Sequence, residues 1–164
     1  VQLLRNDMEV LDHLVEWDLI DVRVRGARIQ QIVAAAIREK GAPVSDFLLE
    51  FLDGELRVSA KIQKGFSIPI RLTIRTIDVT GSQVRIPLEQ VSAFGLLPVP
   101  KLLFHAVGQR GLPEGIKLDA ETMTVSISLE RFLPPFVMAD IEHIRVIQGG
   151  LAVRLGKGRA AIPA

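Results

Sequence analysis

Apolar and polar residues alternate along three stretches of the chain. Leu56, Val58, Ala60 and Ile62 alternate with Arg57, Ser59, Lys61 and Gln63. Ile68, Ile70, Leu72 and Ile74 alternate with Ser67, Pro69, Arg71, Thr73 and Arg75. Met123, Val125, Ile127 and Leu129 alternate with Thr122, Thr124, Ser126, Ser128 and Glu130. Side chains of a strand point to opposite faces with period two. Each stretch therefore predicts a strand with one apolar and one water-facing side. A sheet of such strands leaves an apolar face that something must cover.

Helical spacing appears in three places. Leu4, Met8, Leu11 and Val15 predict a helix over residues 1–18. Ile29, Ile32, Val33, Ala36 and Ile37 follow the i, i+3, i+4, i+7, i+8 pattern more closely. Arg38 and Lys40 suit the last turn of that helix, and Gly41 and Pro43 end it. A short helix is expected after Pro100, with Leu102, Leu103, Ala106 and Val107 on one stripe and Phe104 off it. Between these lie a short strand at Ile20–Val24 and a hairpin turning at Asp53-Gly54. The apolar parity changes between Ile74 and Ile77, which predicts a β-bulge. Val84, Ile86 and Leu88 continue on a strand that Pro87 makes partly an edge. Strands are expected over Ile116–Leu129, Ile141–Ile147 and Leu151–Leu155. The organisation expected is an N-terminal helix at 1–18, one α+β domain at 19–156 and a loose tail at 157–164.

At 164 residues the chain suits one domain. A chain of this length buries ~70% of the surface its unfolded form exposes, so it needs no disulfide or metal. It has no Cys, which excludes a disulfide framework and a thiolate metal site. Apolar residues make up 48%, with seven Phe, one Trp and no Tyr, so the apolar mass is aliphatic. That composition suits flexible hydrocarbon chains and offers few platforms for stacking bases or sugars. Net charge is +1, which gives no electrostatic case for nucleic acid. No run of about 18 apolar residues is present to cross a bilayer as a helix. The chain begins at Val1, so a cell-envelope location is expected if an upstream signal or anchor has been removed.

No catalytic motif stands out. His13, His105 and His143 lack metal-ligand spacing. Ser45, Asp46 and His105 come with neither a nucleophile elbow nor an oxyanion signature. Asp46, Glu50, Asp53 and Glu55 read as solvated carboxylates around a turn, and Gly156-Lys157-Gly158 opens no helix. No enzymatic activity and no cofactor are expected. Arg57, Arg71, Arg75 and Arg85 fall on polar strand faces, either simply solvated or facing anionic headgroups. In Arg131–Met138, Pro134 and Pro135 preclude a central strand or helix interior. A loop carrying Phe132, Leu133, Phe136 and Val137 either packs on the core or touches a membrane, with Arg131 beside anionic lipid.

Gly95-Leu96-Leu97-Pro98-Val99-Pro100-Lys101-Leu102-Leu103, Leu112-Pro113-Glu114-Gly115-Ile116 and Gly150-Leu151-Ala152-Val153-Arg154-Leu155 resemble stretches of the bacterial LmeA-like phospholipid-binding proteins. The strand–helix opening from Ile20 to Lys40 is similar too. The resemblance spans about residues 19–156; the Arg131–Met138 stretch and the N-terminal segment with Trp17 depart from it. It implies the tubular lipid-binding (BPI-like) superfamily: an α+β fold in which a long curved antiparallel sheet wraps one or two amphipathic helices. The function it implies is non-enzymatic binding or transfer of a lipid or other long apolar ligand. The groove expected sets Ile29, Ile32, Val33 and Ile37 against Ile70, Leu72, Val125 and Ile127, with Leu96, Leu97, Leu102, Leu103 and Phe104 at one end. The competing expectation is a structural or protein-interaction domain whose apolar face is a closed core.

Overall fold

In a computed structural model the alternating stretches form an α+β fold made mostly of antiparallel strands. The structure describes residues 15–95, 97–99, 101, 104–105, 112–131 and 137–160. A short strand β1 (Val15–Trp17) and β2 (Ile20–Arg25) precede the fifteen-residue helix α1 (Gly26–Lys40). A five-stranded sheet follows, ordered β3 (Val44–Leu52), β4 (Glu55–Lys64), β5 (Phe66–Ile74), β8 (Glu89–Ala93) and β9 (Leu97–Pro98). A second sheet runs β10 (Ile116–Asp119), β11 (Thr124–Ser128), β7 (Gln83–Pro87) and β6 (Asp78–Thr80). The third is centred on β13 (Gly150–Ala160), with β12 (Val137–Ile147) on one side and β2 then β1 on the other.

The strands thus divide among three sheets. The parity change after Ile74 marks the exit from one sheet to the next: residues 75–77 leave extended pairing, and β6 joins a different sheet. The bulges lie elsewhere. On β3, the three steps from Ser45 to Leu48 match two on β4, with Asp46 at φ +50°. On β8 the extra residue falls between Glu89 and Ser92, where Gln90 has φ +49°. Short polar side chains tolerate this left-handed region better than bulky ones, so Asp46 is a fitting residue for its position. The stretch Ile116–Leu129 is a hairpin. Asp119 Oδ1 accepts the backbone N–H of Glu121 (2.9 Å) and of Thr122 (3.3 Å), which folds the chain back. Pro87 ends β7 beyond the reach of β6, so its missing N–H faces no strand on that side.

The apolar alternation is realised as cross-strand rows. Phe51, Leu56 and Ile74 stand opposite one another, as do Leu49, Val58 and Leu72, and Ala60, Ile70 and Ala93. The first row meets Val146 of β12, Ile29 of α1, Ile77, Ile86 and Leu88, so all three sheets converge on one cluster. A second cluster of Ile62, Ile68, Ile70 and Ala93 fills the other end of the five-stranded sheet under Val91 and Val99. Among the described residues no large side chain is completely buried.

Three glycines close the junction. Gly26 N–H donates to the Gly149 carbonyl at 2.8 Å, and Gly149 N–H donates to Phe51 at 3.1 Å. A Cβ on Gly26 would lie 2.9 Å from the Gly149 oxygen, and one on Gly150 would run into the Val24 carbonyl. Helix α1 lies against the free edge of β3. The Gln30 amide donates to the Phe47 carbonyl (2.6 Å) and accepts from the Leu49 N–H (2.7 Å). One side chain thus satisfies two backbone groups that an edge strand otherwise leaves open. Gly41, at φ +61°, ends the helix in the left-handed region, as its sequence position implies.

Both termini of the expected domain need correction. Residues 15–17, assigned by spacing to a helix over 1–18, form β1, and residues 157–160, expected in a loose tail, end β13. Val15, Glu16 and Trp17 pair with Ala160, Arg159 and Gly158. Val15-Glu16-Trp17 alternates over only three residues and 157–160 carries no such pattern; β13 pairs here with β1 on one side and β12 on the other.

The ladder between β2 and β13 carries an ion pair with a pH consequence. Arg154 Nε donates to Asp21 Oδ1 at 2.8 Å, and that bond holds the Asp21 carboxyl below the ordinary aspartate value of 3.8. A carboxyl whose folded pKa is depressed adds stability above its unfolded pKa and loses it as pH falls through the folded one. Asp21→Asn is therefore expected to lower the melting temperature slightly at neutral pH. The gap to the native chain should close as pH drops below 3.8. The pair is solvent-exposed, so the effect is small. Thermal melts of both proteins across pH 7 to 2 measure it.

Candidate functional site: an open groove at the end of the β12–β13 ribbon

The groove begins with register. Ile141, Ile144 and Val146 of β12 stand opposite Leu155, Val153 and Leu151 of β13. Those β13 partners alternate strictly, so the three β12 residues share their face. Val146 and Leu151 lie in the junction cluster, which fixes that face as the inner one. Further out, Ala139 faces Gly158 and Val137 faces Ala160. Between Ala139 and Ile141 the β13 strand takes three steps to two on β12, and between Ile141 and His143 the excess is on β12. These two irregularities reset the parity on each strand in turn. Val137, Ala139, Ile141, Ile144 and Val146 thereby stay on one continuous apolar face. Its inner end is filled by the junction, and its outer end is open.

At the outer end the structure holds a groove of about 970 Å³. Val137, Ala139, Ile141, Trp17 and Gly158 line it from the β13-centred sheet, and Gly81, Ser82 and Leu129 from the sheet opposite. The Trp17 indole lies on Gly158: a Cβ there would sit 2.7 Å from Nε1 and 2.5 Å from Cε2. Glycine at 158 therefore makes room for the ring, which in turn covers the bare backbone. The indole Nε1 is buried and has no hydrogen-bond partner among the described residues. Such a donor costs about 1–3 kcal/mol.

The remaining lining is charged. Glu16, Asp18, Glu130 and Asp140 contribute carboxylates, and Lys157 and Arg159 contribute cations. Arg159 also donates to the Met138 sulfur at 3.3 Å. The site is amphipathic, with an aliphatic and aromatic floor within a polar surround.

This groove is not where the sequence places one. Ile29, Ile70 and Leu72 pack into the two core clusters, with Ile29 and Leu72 at the junction and Ile70 at the far end. Ile32 is 57% exposed on α1, and Val33 and Ile37 are half-buried. Val125 stands between Leu118 and Ile86, and Ile127 between Ile116 and Val84, in the sheet interior. Phe104 is buried, and Leu97 is exposed on β9. Leu96, Leu102, Leu103, Phe132, Leu133 and Phe136 lie outside the described residues. None of the ten described residues among the groove residues named from sequence lines the observed groove. The helix sits on the β3 edge through Gln30, so α1 and the sheet do not enclose that groove between them. Val137, expected in a membrane loop, is instead a strand residue on the groove floor, because β13 extends far enough to pair with it. Arg131 ends a short 3-10 turn and is ion-paired with Glu114.

The other polar candidates have local partners. Ser45 Oγ accepts from Gln63 Nε2 at 3.1 Å. His105 Nε2 lies 3.7 Å from Glu121, which is bonded to Lys101 at 3.1 Å; Lys101 holds that carboxyl below its usual range. Arg75 bridges Glu55 and Glu89 at 3.5 Å each. Among the described residues no three metal-ligating side chains cluster. No family model matches the chain, nor does any curated protein or solved structure.

Proposed function

We propose that the protein is a non-enzymatic binder or carrier of a lipid or other amphiphile with a long hydrocarbon chain. The observation that carries this reading is the open groove of about 970 Å³ whose floor continues the inner apolar face of β12 and β13. Its size falls within the range of small-molecule sites. A chain laid along Val137, Ala139 and Ile141 follows the strand direction, and its polar end reaches the charged surround. In this reading the three sheets serve as segments of one bent wall, the arrangement that the resemblance to tubular lipid-binding proteins implies. The aliphatic composition supports an acyl chain over a ring-stacking ligand.

Burying about ten methylenes at ~0.8 kcal/mol each yields ~8 kcal/mol before association costs. That corresponds to a dissociation constant from roughly micromolar upward, suited to reversible carriage. Native mass spectrometry of the purified protein tests the reading. Adducts of amphiphile mass, removed by organic extraction, are expected; a mass equal to the bare chain in every preparation supports a closed structural or interaction domain instead.

A further inference from the structure

We infer that the end of the five-stranded sheet remote from the junction docks on an anionic phospholipid bilayer. This surface uses none of the groove residues, so it goes beyond the ligand reading and stands or fails separately.

The β4–β5 turn at Gly65 and the β8–β9 turn at Phe94-Gly95 lie at the same end of the sheet, because β5 and β8 run antiparallel with Ile70 opposite Ala93. Three large apolar side chains project there: Phe66 is 64% exposed, Phe94 54% and Leu97 57%. Phe66 shares the face of Ile68 and Ile70, and Leu97 pairs with Ala93. Phe66 therefore prolongs the buried cluster of Ile62, Ile68, Ile70 and Ala93 towards the β4–β5 turn, and Leu97 widens it sideways onto the edge strand β9 in the row of Ile70 and Ala93.

Phe94 is the most informative of the three. Its φ is +52°, a region in which a bulky side chain is strained. Its backbone N–H is held by the Pro69 carbonyl at 2.9 Å. Packing does not explain an aromatic residue that is both strained and more than half exposed. A glycine would fit that backbone without strain.

Charge selects the partner. Gln63 N–H donates to Pro43, which brings the end of α1 beside the β4–β5 turn. Arg38, Lys40 and Lys64 are exposed at this end, and none has an acidic partner among the described residues. Glu39 is a nearby carboxylate with no ion-pair partner among the described residues, and Lys61 is neutralised by Asp46 at 3.0 Å. Protruding aromatic and aliphatic tips flanked by surplus cations match the layered chemistry of an anionic membrane, apolar below and phosphate above.

Co-sedimentation of the full chain with phosphatidylcholine vesicles, with and without phosphatidylglycerol, tests the inference. Binding is expected only to the anionic vesicles and should fall as salt rises. Phe66→Ser with Phe94→Gly should weaken it at least about tenfold. The melting temperature should be unchanged or higher, since glycine relieves the backbone at 94. Lys64→Glu with Lys40→Glu should also weaken binding without touching the apolar tips. Uptake of a monomeric lysophospholipid, measured without vesicles, should be the same in these variants as in the native chain. Three outcomes overturn the inference: no binding of the native chain to anionic vesicles, undiminished binding by the variants, or loss of lysophospholipid uptake together with vesicle binding. A native chain that binds anionic vesicles but takes up no lysophospholipid sustains the docking surface and refutes the groove reading.

Discussion

Replacing Gly150 by Ala is expected to destabilise the fold by about 3 kcal/mol or more, at the upper end of overpacking costs. In a chain of this size that lowers the melting temperature by roughly 6–12 °C. The added Cβ runs into the Val24 carbonyl and lies 3.0 Å from the Gly26 nitrogen. Both are backbone atoms of the β2–α1 connection, so no side chain can swing aside. Yielding there would pull Gly26 N–H from the Gly149 carbonyl and disturb the point where helix and sheets meet. The neighbouring Gly149→Ala is the control. Nothing lies near its Cβ position, but its φ is +81°, so the cost is left-handed strain alone, about 1–2 kcal/mol. Denaturant melts should rank the two in that order. Equal small losses would mean that the junction is looser than its hydrogen bonds imply.

Ala139→Phe is expected to weaken amphiphile binding at least tenfold, a loss of about 1.4 kcal/mol or more. Ala139 lies on the groove floor opposite Gly158, where neither strand carries a large side chain. A phenyl ring there occupies the path of the hydrocarbon chain. Because the groove is open, the ring has space, and stability should change by less than about 1 kcal/mol. In a closed core the same substitution costs about 1–3 kcal/mol through overpacking. Calorimetric titration with a lysophospholipid, paired with a thermal melt, separates the two cases.

The strand and helix pattern was legible where one face is apolar over many residues. The rows through Leu56, Val58 and Leu72 and the helix ending at Gly41 follow from period and punctuation alone. The partition into three sheets was not legible. A parity change after Ile74 reads the same whether a strand bulges or changes sheets; only the pairing of β6 with β7 decides. The groove was hidden for a related reason. Its floor depends on compensating irregularities in β12 and β13, and on Trp17 lying over Gly158 some 140 residues away in sequence (17 to 158). A weak signal did exist. The chain's single Trp, and Gly156 and Gly158 flanking Lys157, suit an aromatic ring laid over a bare strand. Gln30 gave no sign of its role, because an amide on the polar side of a helix reads as solvated until an unpaired strand edge lies beside it.

The most direct test of the groove uses Trp17, the only tryptophan in a chain without tyrosine. Its indole lines the groove, so emission from this one residue reports directly on occupancy. Titrating the protein with a long-chain lysophospholipid below its micelle concentration should give a saturable blue shift. The midpoint should fall in the roughly micromolar to tens-of-micromolar range. A short-chain analogue, or the Ala139→Phe chain, should shift the emission little at the same concentrations. An emission spectrum that stays unchanged through saturating amphiphile, or drifts without saturation and equally for both chain lengths, would contradict a ligand on the floor formed by Val137, Ala139 and Ile141.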